Sequence, residues 1–186
     1  MIYHWIVVVL RPFIKWWGKL YLGFHKPQFS SSDFQKVVEL IQEGDILLSK
    51  TKGEFSNLIN PSGSFTHSAT YIGDGMIVEA VGEGVRLDRL DNFCYKKDFI
   101  ALLRHKNSKK YYMAKSVNFV CSKVGHPYDM EFESRDEEFY CHELTALGQI
   151  KSGIHLKKKK ILDGHFYTAE SFLSGGYDIL VDTRKH

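Results

Sequence analysis

The sequence predicts an α+β domain in which an antiparallel sheet packs against helices. Two observations carry that prediction. Between Asp45 and Arg104, short β-prone runs follow one another with glycine-bearing turns between most of them, the pattern of hairpin-linked strands. On either side the apolar spacing lengthens to that of helices, with Phe34, Val37, Val38 and Ile41 before the strands and Met113, Val117, Val120 and Val124 after them. A chain of 186 residues fits one domain with a single core, here assigned to residues 31–186 behind an extension over residues 1–30.

That extension reads as one or two short helices. Arg11, Lys15 and Lys19 recur every fourth position and form a basic stripe. Phe13, Trp16, Trp17 and Leu20 cover much of the remaining surface, and Pro12 predicts a break or a new first turn. Two readings stand: a helix docked on the domain by its aromatic face, or one lying at a membrane surface. The apolar run Trp5–Leu10 has no basic residue before it and no small-residue cleavage site, so it makes a poor secretory signal. It also falls far short of the roughly 20 apolar residues that span a bilayer. Cys94, Cys121 and Cys141 are widely spaced, with no Cys-x-x-Cys, which fits a reducing compartment. The expectation is a cytoplasmic protein, peripheral at most to a membrane.

Ser32 and Gln35 predict a capping box opening the first domain helix, which ends by Gly44. Strands are then expected over Asp45–Lys50, Thr66–Ile72, Met76–Val81, Gly84–Leu87 and Phe99–Arg104. A helix follows over Tyr111–Val124. A second starts near Cys141 and stops at Gly153, and a helical turn at Ala169–Leu173 precedes a closing strand at Ile179–Val181. Lys157–Lys160 reads as a solvated loop.

Two segments carry chemistry. In Thr66–Ala80, Gly73-Asp74-Gly75 marks a hairpin turn between two β-prone runs. A two-residue turn would put Glu79 on the face opposite His67. A three-residue loop, with Gly75 left-handed, sets Ala69 across from Glu79 and makes His67 and Glu79 diagonal neighbours about 7–8 Å apart. The longer loop is expected. A carboxylate so placed orients an imidazole and stabilises its protonated form; an ordinary surface histidine also fits the pattern. In the second segment, Tyr140-Cys141-His142-Glu143-Leu144, the cysteine sits where an apolar helix begins. The positive end of the helix lowers a thiol pKa there, and free first-turn N–H groups can hold an oxyanion. The alternative is a buried, inert thiol.

Together the segments resemble the NlpC/P60 superfamily of papain-like proteins, in its circularly permuted branch typified by YiiX-like proteins. The likeness rests on Gly44-Asp45-Ile46, His67-x-x-x-Tyr71-Ile72-Gly73, Glu79, Gly125-x-Pro127-Tyr128-Asp129 and Tyr140-Cys141-x-Glu143-Leu144, in that order. It covers about residues 44–150, and His142 stands where relatives commonly carry serine. The resemblance implies a curled antiparallel sheet against the cysteine-bearing helix. It also implies a cysteine hydrolase with Cys141 as nucleophile, His67 as general base and Glu79 as its orienter. Tyr140, His142, Tyr71 and Tyr128 are the candidate oxyanion or substrate residues. A small peptide or isopeptide amide is the expected substrate, with lipid acyl chemistry or non-catalytic binding as alternatives. No cofactor or metal is expected, since neither Cys121–His126 nor Cys141–His142 has a second pair at finger-like spacing. A net charge of +3 with scattered basic residues gives no support to nucleic-acid binding.

Overall fold

The computed structural model describes residues 27–52, 65–95, 97–108, 110–132, 137–161, 164–174 and 176–185. The predicted helical extension over residues 1–30, with its basic stripe, lies outside the described residues up to position 26.

Helix α1 (Ser31–Leu40) opens at Ser30, two residues before the expected cap. The Ser30 hydroxyl accepts the Asp33 N–H at 3.2 Å, while the Asp33 carboxylate accepts the Ser30 N–H at 3.2 Å. Asp33 fills the box better than Gln35 because it adds a negative charge at the positive end of the helix. Only part of the expected stripe is buried: Val37 is fully enclosed, whereas Val38 is 50% exposed.

Strands β1 (Ile46–Lys50), β2 (His67–Gly73), β3 (Met76–Val81) and β4 (Gly84–Arg89) follow. After α2 (Leu90–Tyr95) come β5 (Phe99–His105), α3 (Lys110–Ser122) and α4 (Cys141–Lys151). A small hairpin, β6 (Lys159–Ile161) and β7 (Gly164–Phe166), then leads to α5 (Ala169–Leu173) and β8 (Tyr177–Asp182). Among the described residues the main sheet is antiparallel in the order β4-β3-β2-β1-β5-β8. The expected solvated loop at Lys157–Lys160 is corrected in part, because Lys159 and Lys160 enter β6 and pair with Phe166 and His165.

Strand alternation sends side chains to two cores. Leu47, Ala69, Ile77, Ile100 and Leu102 meet Val37 of α1 and Leu90, Phe93 and Cys94 of α2. On the other face Ile46, Leu48, Ala101 and Leu103 meet Met113, Ala146 and Phe172, while Val78, Ala80 and Val85 meet Val120 and Leu144. Helix α4 is fixed against this second face at two points. Gly148 lets α3 come close: a Cβ there would lie 2.9 Å from Ser116 Oγ and Val120 Cγ1. Buried Gln149 donates to the Gly44 carbonyl at 3.0 Å and accepts the Tyr177 hydroxyl at 3.1 Å. No described helix is long and apolar enough to cross a membrane.

Candidate active site

His67 opens β2 and Glu79 lies within β3. Their meeting depends on the register of this hairpin. Gly73 faces Met76 across a two-residue turn, Asp74-Gly75, with φ of 51° and 71°. The expected three-residue loop is therefore corrected. A bulge between Tyr71 and Gly73 supplies the extra residue instead, so Ala69 still pairs with Glu79. His67 Nε2 then lies 2.7 Å from Glu79 Oε2. The ring also rests on Phe93 of α2, with centroids 5.7 Å apart.

Cys141 heads α4, preceded by Tyr140 in extended conformation (φ −87°, ψ 163°) with no side-chain cap on the helix. With no side chain capping the first turn, its Cys141 and His142 amides turn to Tyr128 and to the sulfur. The thiol is nearly buried and its sulfur lies 4.0 Å from the Thr66 carbonyl oxygen, at the mouth of β2. It bonds to the His67 ring and receives the backbone N–H groups of Ser68 and His142. Because Nε2 is engaged by Glu79, the imidazole nitrogen left for sulfur is Nδ1.

The charges follow from these contacts. Burial opposes ionisation of Cys141, but the His67 hydrogen bond and charge outweigh it and lower the thiol pKa. Burial also works against a charged His67; the bonds to Cys141 and Glu79 override it and raise the ring to about 9. Glu79, despite burial, is held down to about 2 by His67 and then Arg86. The His67 ring therefore holds its proton at neutral pH, and beside it the Cys141 thiol is shifted towards the thiolate.

Glu79 also ties the site to stability. A carboxylate with a depressed folded-state pKa stabilises above its ordinary value, and the contribution is lost as pH falls through the folded value. Glu79→Gln should therefore unfold at lower urea than wild type near neutral pH. The gap should close as pH falls from 4.5 towards about 2. Urea midpoints that differ equally at every pH would contradict this coupling.

The other candidates separate. The Tyr128 phenol meets the Cys141 sulfur and accepts the Cys141 backbone N–H, and burial raises its pKa, so it keeps its proton at neutral pH. The Tyr140 hydroxyl instead accepts the Tyr167 N–H at 2.8 Å. His142 turns into the core, with Nδ1 2.9 Å from Ser68 Oγ, itself 3.1 Å from Thr145 Oγ1. Burial, then the His67 charge, lowers that ring to about 3. Tyr71 is taken up at the far end of the hairpin, where its hydroxyl accepts the Gly75 N–H at 3.0 Å.

Sequence reasoning missed Arg86. Its Nε and Nη2 donate to Glu79 Oε1 at 2.9 and 2.6 Å. The signal was available: a two-residue turn at Gly82-Glu83 pairs Glu79 with Arg86 across β3 and β4.

A family model described as permuted papain-like amidase enzyme, YaeF/YiiX, C92 family matches residues 40–175. The chain belongs to this family. It is accordingly a papain-like thiol hydrolase of amidase or peptidase type, with the histidine strand before the cysteine helix, the permuted order. Among solved structures, the crystal structure of metalloprotein yiiX from Escherichia coli O157:H7 is similar at 19% identity, with a TM-score of 0.59. That match covers 72% of this chain and 78% of the other, and it supports the YaeF/YiiX fold. No curated protein matches the sequence. Among the described residues no group of three or more His, Cys, Asp or Glu side chains could hold a metal ion.

Proposed function

We propose that this YaeF/YiiX-family protein hydrolyses a small peptide or isopeptide amide through a thioester on Cys141, with His67 as acid and base and Glu79 as its orienter. The observation that carries this reading is the unbroken line from Glu79 through His67 to a thiol of lowered pKa at the start of α4.

In acylation the sulfur anion adds to the carbonyl carbon and forms the C–S bond. The oxyanion is met by the Cys141 backbone N–H and the Tyr128 hydroxyl, which lie together beside the sulfur and would turn from each other to the substrate oxygen. The C–N bond then breaks as the His67 imidazolium gives its proton to the leaving amine. Water attacks the thioester, neutral His67 takes its proton, and the C–S bond breaks to release the carboxylate and restore the ion pair. Of the candidate oxyanion residues Tyr128 is assigned this role, because the Tyr140 hydroxyl accepts the Tyr167 N–H instead.

A panel of γ-glutamyl peptides and phospholipids, read by mass spectrometry, tests the substrate class. The expected result is amide cleavage with an acyl adduct on Cys141. Fatty-acid release without amide cleavage would transfer the same chemistry to lipid esters, and no adduct from either class would oppose turnover. Tyr128→Phe should lower kcat about 100-fold with little change in KM, the usual cost of losing one oxyanion donor. An unchanged kcat would remove the phenol from the oxyanion site.

A further inference from the structure

From the paired contacts on Glu79 we infer that Arg86 is a positioning residue of the active site, holding Glu79 in the ionised, fixed state that orients His67. The inference rests on the triad reading and extends it to a residue outside the triad.

Glu79 is 4% exposed, so both carboxylate oxygens need partners inside the protein. They are divided between two strands: Oε2 faces His67 Nε2 on β2, and Oε1 takes two N–H groups from Arg86 on β4. A carboxylate pinned at one oxygen by a guanidinium fork cannot swing its other oxygen away from the ring. Arg86 is itself anchored from behind, because Nη2 donates to Asp88 Oδ2 at 3.0 Å. The four side chains thus run in a line across one sheet face, from solvent at Arg86 (43% exposed) inward to His67.

The charged and titratable groups around this line are few. From β2 comes His67, with Cys141, Tyr128 and His142 beyond it. Asp88 and Glu83 act on Arg86 from β4 and the preceding turn. Helix α2 presents apolar Phe93 to the ring, while its Asp91 is paired with Arg89 at 2.8 Å. Among the described residues Arg86 is accordingly the cation on Glu79 besides the imidazolium itself. Without it the imidazolium alone would hold the carboxylate against burial, so Glu79 would take up its proton at higher pH, and a protonated Glu79 neither supports the imidazolium nor fixes its tilt.

The test is the pH profile of kcat/KM for Arg86→Met and Arg86→Lys, with Glu79→Gln as the reference. Arg86→Met should lose about tenfold in kcat, within the coupling range of one hydrogen-bond network, with KM little changed. Its acid limb should move to higher pH. Arg86→Lys, which keeps the charge, should bring that limb back. In the Glu79→Gln background the Arg86→Met change should have little further effect. A variant that loses thermal stability but keeps the wild-type limb would overturn the proposal, leaving Arg86 a strand-pairing residue. Arg86→Gln carries the same expectations should the methionine variant not fold. If Glu79→Gln is silent, the triad reading falls and the inference with it; if Glu79→Gln impairs and Arg86→Met does not, only the inference falls.

Discussion

Cys141→Ala should abolish turnover, by roughly 10⁴-fold or more on the scale seen when a triad nucleophile is removed, and should also remove the fast iodoacetamide-reactive thiol. The second half discriminates because the three thiols are so different. Cys94, on α2, faces the core and burial pushes it up to about 12. Cys121, on α3, is also raised by burial. Cys141 alone among them is lowered, by the His67 hydrogen bond and charge and by the backbone amides of Ser68 and His142. The thiolate is the alkylating form, so near neutral pH the modification should reach residue 141 first. Peptide mapping after brief labelling checks the site, and activity lost in step with that one modification checks its role. Wild-type turnover in Cys141→Ala would end the assignment, as would selective labelling of Cys94 or Cys121 with parallel inactivation.

This contrast among thiols was partly legible in the residues. A helix start is a local event, so Tyr140-Cys141 could be placed at the N-terminus of α4 without any tertiary knowledge. The strands were legible for a similar reason, since glycine-bearing turns punctuate them. The hairpin was harder. The facing of His67 and Glu79 followed from an assumed loop length, and the molecule reaches it by a two-residue turn with a bulge at Ile72. Pairing counts alone do not distinguish those routes. What escaped depends on side chains brought in from other elements. Helix α2 is a short six-residue helix whose Asp91 and Asn92 argue against helix, yet it lays Phe93 against the His67 ring. Gln149 looks like any polar helix residue until the Gly44 carbonyl and Tyr177 hydroxyl are found on it. His142, beside the thiol in sequence, points elsewhere because consecutive helix positions differ by about 100°.

That last point decides which imidazole serves the thiol, and His67→Ala tests it. His67 supplies the largest influence lowering the Cys141 pKa; what opposes it is burial. With the ring gone, the amides of Ser68 and His142 remain, but the desolvation cost is no longer met by a neighbouring cation. The pH at which alkylation reaches half its limiting rate should rise from below the ordinary thiol value of 9 to that value or above it. Turnover should fall by roughly 10⁴-fold or more, because the same change removes both the activating charge and the proton donor for the leaving amine. His142 cannot take over: its Nδ1 is held by Ser68, and burial keeps the ring neutral. His142→Ala should therefore leave the alkylation midpoint close to wild type, with its cost appearing in thermal stability through the loss of the Ser68 and Thr145 contacts. The reverse pattern, a midpoint that moves with residue 142 and ignores residue 67, would reassign the base and dissolve the line from Glu79 to sulfur.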